Sequence, residues 1–212
     1  MEPKIEWLGH DSFRLTADGK VIYIDPWKLK SNQPPKADLI LITHDHFDHL
    51  SKPDIDKISK PDTVIVAPPS VARQLSGNVR TAHQNDSLTA AGIQIETVPA
   101  YNLNKGPEPG KVFHPKDAGF VGYILTLGGR RIYHMGDTDH TPEVNRVKAD
   151  IALVPVSGTY VMTVDEAIEA VNQFKPGKAI PMHYADIVGT RKDAEEFKQR
   201  AKVPVEILEL VE

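Results

Sequence analysis

The sequence contains no cysteine. Disulfides and thiolate ligands are therefore excluded, and a metal site in this chain has only His, Asp and Glu to draw on. No apolar run approaches the ~20 residues that cross a bilayer, so no membrane span is expected. The opening Met1-Glu2-Pro3-Lys4-Ile5-Glu6 is broken by charge and leads into no apolar core, which does not read as a signal peptide; the expected location is the cytoplasm. An excess of one charge sign is also missing. Lys and Arg number 25 against 29 Asp and Glu, a net charge of −4, too small to steer the whole chain toward nucleic acid or anionic lipid. A local basic patch stays open.

What is present is ordinary globular composition: 212 residues, 40% hydrophobic and 25% charged, enough for one sizeable core. Short stretches rich in Ile, Val, Tyr, Trp and Phe predict strands over 4–8, 12–17 and 20–25, with Asp18-Gly19 as a hairpin turn. The nearly unbroken apolar run 38–43 predicts a strand covered on both faces. A helix over 53–60, a strand over 63–67, a helix over 70–75 and strands over 78–82 and 93–98 follow. Residues 101–117 form a long loop, and loops of that length are usually functional or disordered. Beyond it the pattern restarts with a hairpin, 119–127 and 130–135, then a buried strand over 150–156. Thr163 and Glu166 have capping-box spacing ahead of the apolar face Val164, Ala167, Ile168, Val171 and Phe174. A strand over 178–182, a helix over 190–201 and a closing strand over 205–210 complete the chain. The expectation is one α/β domain, 1–212, of two similar halves (about 1–110 and 111–212), with two mixed sheets and helices outside.

The segment His44-Asp45-His46-Phe47-Asp48-His49 holds three histidines and two aspartates directly after the apolar run. His-x-His on extended backbone points two imidazoles to one side, where they can share an ion. Asp48 and His49 follow as the chain turns and can serve a second ion nearby. Asp137, beside Gly136 in Tyr133–Asp139, and His183, in Pro181–Tyr184, each follow a strand and can complete the set. Imidazole and carboxylate suit Zn, Mn, Fe or Ni, in one or two divalent ions. His10, after the first strand, is read either as a hydrogen-bond donor to this loop or as a turn cap.

These motifs, with Ile24-Asp25-Pro26 upstream, resemble the metallo-β-lactamase superfamily; the segments IEWLGHDSF, YHMGDTD and IPMHY are most similar to its ascorbate-6-phosphate lactonase-like branch. The resemblance implies a four-layer αβ/βα sandwich with metals at the sheet edges. It places His44 and His46 on a first metal, Asp48, His49 and His183 on a second, Asp137 as bridge, and Asp25 in a structural role behind the metal loop. One position departs: Tyr101 stands where the family supplies a further histidine to the first metal. Water, Tyr101 or Asn102, or another histidine could fill that place, with His114 on the long loop ahead of His83.

The chemistry so implied is hydrolysis. Coordination lowers the pKa of water from 15.7 toward about 7, giving a nucleophile for an ester, lactone or phosphodiester. Asp48, Asp137 and His114 are the expected catalytic groups. Lys105, Lys111 and Lys116 on the long loop suggest a small anionic substrate. The lack of cysteine sets aside the Cys-ligated lactamases. The competing reading is a non-enzymatic metal-binding or scaffold protein with a degraded first site, supported by Tyr101 alone. A homo-oligomer is left open.

Overall fold

A computed structural model describes residues 2–211. The first sheet takes β1 (Lys4–Gly9), β2 (Ser12–Ala17), β3 (Lys20–Ile24), β4 (Leu39–Leu41), β5 (Val64–Ala67) and β6 (Val79–Thr81) in sequence order. The second takes β7 (Ser87–Ala90), β8 (Ile93–Pro99), β9 (Val121–Leu127), β10 (Arg130–His134), β11 (Ile151–Pro155) and β12 (Lys178–Met182). Each sheet begins with antiparallel neighbours and ends with parallel ones, from β3 onward in the first and from β10 onward in the second. The change of sheet falls between β6 and β7, so two strands ahead of residue 110 pack with the second half.

Side-chain alternation explains the apolar runs. Ile22, Ile24, Leu39, Leu41, Val64 and Val66 face the space between the sheets, where they meet Ile95, Tyr123, Leu125, Ile132 and Leu153. Tyr23, Ile40, Ile42 and Ile65 point the other way, under Ile55 and Ile58 of α1 (Lys52–Ile58) and Val71 of α2 (Pro69–Ala72). A strand buried on both faces has no polar side to show, hence the continuous run. On the far face of the second sheet lie α3 (Val164–Phe174) and α4 (Arg191–Arg200), which bury Ala167, Ile168, Val171, Phe174 and Phe197. The result is a four-layer αβ/βα sandwich. The capping box at α3 forms as the spacing predicts, Thr163 Oγ1 accepting from Glu166 N while Glu166 accepts from Thr163 N.

Two expectations change. The edge strand β7 was not anticipated: Ser-Leu-Thr-Ala is short, mostly polar and half exposed, and carries little strand signal. The expected closing strand over 205–210 is reduced to two single bridges, Val205 to Ala179 and Leu210 to Trp7. The tail thus passes from the edge strand β12 to the edge strand β1 and covers both edges without joining either ladder. No helix among the described residues is long and apolar enough to cross a membrane.

Candidate metal centre

β1, β3, β4, β8, β10, β11 and β12 all deliver their carboxyl ends to one edge of the sandwich, where the loops of the two sheets meet in a polar ring. The turn after β1 brings His10 and Asp11. Asp25 follows β3, His44–His49 follow β4, Asn102 follows β8, Asp137 follows β10, Ser157 follows β11 and His183 follows β12. His10, Asp25 and His183 hold positive φ angles of 49°, 45° and 59°, backbone that non-glycine residues adopt only when their surroundings impose it. Gly136, at φ 64°, lets the Asp137 turn approach Thr43: a Cβ there would lie 3.1 Å from Val121 O and 3.3 Å from Thr43 Cγ2.

Three groups of ligand atoms converge, each within 4.8 Å: His44, His46 and His114; His10, Asp48, His49 and His183; and Asp11, His49, Asp137 and His183. Asp137 joins them. Its Oδ2 lies 3.3 Å from both His114 Nε2 and His183 Nε2 and 3.9 Å from His44 Nε2, and its Oδ1 lies 3.5 Å from His49 Nε2.

The imidazoles are oriented from behind. Asp25 accepts Thr43 N at 2.8 Å, the Thr43 hydroxyl at 2.6 Å and His49 Nδ1 at 2.8 Å. Because the Thr43 proton goes to Asp25, its oxygen accepts from His44 Nδ1 at 2.9 Å. Asn102 Oδ1, an acceptor only, takes His114 Nδ1 at 2.8 Å, and Ser157 Oγ meets His183 Nδ1 at 2.9 Å. Four histidines are thereby fixed with Nε2 toward the shared centre, the arrangement that presents a lone pair to a metal. Asp25 reaches the centre only through these bonds to Thr43 and His49 Nδ1. His10 sends Nε2 to Asp48 Oδ2 at 3.1 Å, behind the metal loop.

The donor set fits a cation. His44 Nε2, His49 Nε2, His183 Nε2, Asp137 Oδ1 and both Asp11 oxygens are buried without a hydrogen-bond partner. Left so, each would cost about 1–3 kcal/mol; a shared divalent ion satisfies them together. Protonation follows the same logic. Burial holds His44 well below its ordinary pKa, with His49 adding to the effect, and brings His114 down to about 4, so both are neutral lone-pair donors. Burial would also lower His49, but the carboxylates of Asp137 and Asp25 outweigh it and raise His49 well above the ordinary value. Without metal, the His49 proton supplies the positive charge at the centre.

His114, and not Tyr101, comes together with His44 and His46. The long loop closes on itself through Asn102 N to His114 O at 2.8 Å and Phe113 N to Lys105 O at 2.9 Å, and this closure swings His114 against His46, Nε2 to Nδ1 at 3.2 Å. Tyr101 does not face the histidines: its hydroxyl donates to Glu143 Oε2 at 2.8 Å. Asn102 orients His114 and has its amide nitrogen on Tyr160 O and Asp139, so neither residue is placed as a ligand. His114 has Nδ1 on Asn102 Oδ1 and Nε2 beside His46, within the group it forms with His44 and His46. His83 is exposed beside Asp86, and His140 bonds Asn145; neither reaches the centre. His134 spans two loops, Nε2 donating to Asp11 O and Nδ1 accepting from Gly136 N.

Asp11 is the residue the sequence reading missed. In Gly9-His10-Asp11-Ser12 it looks like any turn aspartate, and only its neighbour His10 hinted at the site. Ser157 was missed for the same reason.

Above the centre opens a cavity of about 550 Å³. Asp45, His46, Asp48, His114 and Asp137 form its floor, and Phe47, Phe113, Tyr160 and Ile187 its walls. Phe47 is 70% exposed at the mouth, edge-on to Trp27. The lining contains no lysine or arginine. Lys105 is paired with Glu166 and Asp139, Lys111 with Glu108 and Lys116 with Glu143.

A four-layer sandwich with adjoining His and Asp groups at one edge defines a metal-dependent hydrolase of the metallo-β-lactamase class. The Beta-lactamase superfamily domain matches residues 4–183. Relatives named UPF0173 metal-dependent hydrolase include one from Aeropyrum pernix, 34% identical over 94% of this chain and 89% of its own length. Another, from Archaeoglobus fulgidus, is 35% identical over 94% and 90%. A solved structure from Parabacteroides distasonis, proposed to be a metal-dependent hydrolase, is 36% identical with a TM-score of 0.85 over 99% of this chain and 94% of that one. Igni18, a metallo hydrolase from Ignicoccus hospitalis, matches in fold at 24% identity, with a TM-score of 0.79 over 99% and 96%. The chain belongs to the β-lactamase superfamily and, within it, to the UPF0173 metal-dependent hydrolases. The narrower likeness to ascorbate-6-phosphate lactonases finds no support among these relatives.

Proposed function

We propose that the chain hydrolyses a small, uncharged ester or lactone bearing an apolar group, with two divalent ions held by His44, His46 and His114 on one side and Asp48, His49 and His183 on the other. Asp137, with oxygens near His49, His114 and His183, would be within reach of both. Ions in such a site lower the pKa of water toward neutrality and polarise a carbonyl oxygen. The protein's own groups do the rest. Asp48 is kept ionised: burial would raise its pKa, but the His10 hydrogen bond and the charge of His49 outweigh it. Asp25, Asn102 and Ser157 hold the imidazoles so that no reorganisation is needed during reaction.

The observation that carries the choice of substrate is the wall composition. Four apolar or aromatic side chains line the cavity and no fixed cation does. A phosphodiester keeps its negative charge and ordinarily recruits Arg or Lys beside its metals, whereas a neutral carbonyl with an apolar substituent gains from burial against Phe47, Phe113, Tyr160 and Ile187. Zn or Mn are the ions proposed first. The grouping of His114 with His44 and His46 supports two complete sites over the scaffold reading, which rested on Tyr101.

The test compares metal-loaded protein on neutral nitrophenyl esters and aliphatic lactones with its activity on bis-nitrophenyl phosphate. Turnover of the carbonyl substrates should dominate and should improve with acyl-chain length. Preference for the phosphodiester would overturn the substrate assignment, and absence of turnover on every class would overturn hydrolysis.

A further inference from the structure

Asp11 is the one carboxylate at the centre that the HxHxDH loop, the Asp137 turn and His183 leave unexplained. It is fully buried, and neither oxygen has a hydrogen-bond partner. Buried carboxylates in proteins are paired or bound to metal, and Asp11 has neither lysine nor arginine against it. Its Oδ2 lies 3.6 Å from His49 Nε2 and 4.0 Å from His183 Nε2, separations suited to atoms sharing one ion. Both of those nitrogens are orphaned as well. The backbone of Asp11 is fixed: its carbonyl oxygen accepts from His134 Nε2 at 2.9 Å, and the carbonyl of the preceding His10 accepts from Trp7 Nε1 and His183 N. The side chain is held pointing at the centre.

Resting on the metal-hydrolase reading above, we propose that Asp11 is a ligand of the second ion, and that it makes this site selective for a hard, oxygen-preferring divalent cation such as Mn²⁺. With Asp11 the second site has three carboxylates, Asp11, Asp48 and Asp137, and two imidazoles, His49 and His183. The first has three imidazoles, His44, His46 and His114, and only Asp137 for a carboxylate. Imidazole-rich sites suit Zn²⁺, whereas carboxylate-rich ones suit Mn²⁺ and other hard ions. The two halves of the centre therefore differ in chemistry, and the residue that separates them comes from the β1–β2 turn.

The experiment is a Mn²⁺ titration of metal-free protein followed by the loss of the free-ion electron paramagnetic resonance signal, in wild type and Asp11→Asn, with a parallel Zn²⁺ titration by calorimetry. The asparagine keeps the size of the side chain and removes the negative ligand. Wild type should take up one Mn²⁺ in preference to a second. Asp11→Asn should weaken that event by at least roughly 10-fold while the tighter Zn²⁺ event stays within about threefold. Thermal melting of the metal-free proteins is the folding control, with Asp11→Ser as a second variant; both should melt no lower than wild type, because burial and the facing Asp137 disfavour the charge of Asp11 by more than the nearby His49 favours it. Unchanged Mn²⁺ affinity in both variants would overturn the role of Asp11 and leave the hydrolase reading standing. A wild type that binds no metal would overturn both.

Discussion

Asn102 offers His114 a carbonyl oxygen on one side and spends its amide nitrogen on Tyr160 O and Asp139 on the other. Removing it frees the His114 ring without touching a ligand. Asn102→Ala should weaken the imidazole-rich site by roughly 10- to 100-fold, as loss of a partner behind a metal ligand generally does, and leave the carboxylate-rich site nearly unchanged in a calorimetric Zn²⁺ titration. Tyr101→His should do nothing to either event. Its side chain is directed to Glu143, and the place that the sequence comparison left open to it already holds His114. A tightened binding event in Tyr101→His would mean that the ring turns inward.

At the scale of elements, what could be read from the sequence divides along the range of the interactions. The HxHxDH loop, Asp137 beside Gly136, His183 and the α3 capping box depend on spacing within one segment, and spacing is visible. The entry of His114 depends on the closure of a 17-residue loop through Asn102 and His114 backbone bonds. Asp11 depends on a turn meeting strands more than a hundred residues away, through His134. Neither leaves a periodic trace. The same contrast explains the tail, whose alternation resembled a strand while its partners are two edges on different sheets. For the capping box the expected effect is local: Thr163→Ala should lower stability by about 1 kcal/mol in denaturant unfolding of the metal-free chain. It should also loosen the long loop, because Lys105 pairs with the capping Glu166.

For the whole molecule, the buried histidines set the response to acid. Burial lowers His10, His44 and His134, and takes His114 to about 4. An unfolded chain protonates all four near pH 6.5. Between pH 6.5 and 4 the unfolded state thus binds more protons than the folded state, and stability falls as pH falls. Asp11, which burial and the facing Asp137 raise well above the carboxylate range, opposes this with a single proton and does not reverse it. His114 alone accounts for about 3 kcal/mol over the window. Melting of metal-free protein should therefore drop progressively from pH 6.5 to 4.5. Above pH 6.5 the raised pKa of His49 works in the other sense, its contribution being lost as pH rises through the folded value. Metal must displace that proton, so uptake at neutral pH should release acid and weaken below pH 6.

The sandwich gathers strand ends from both sheets at one edge, and the central claim is that this edge holds two ions of unlike surroundings joined by Asp137. Anomalous diffraction from crystals of the metal-loaded protein measures this most directly. Two peaks are predicted, one among His44, His46 and His114 and the other among Asp11, Asp48, His49 and His183, each in contact with Asp137. A single peak at full metal saturation, or two peaks of which Asp137 touches only one, would contradict the account.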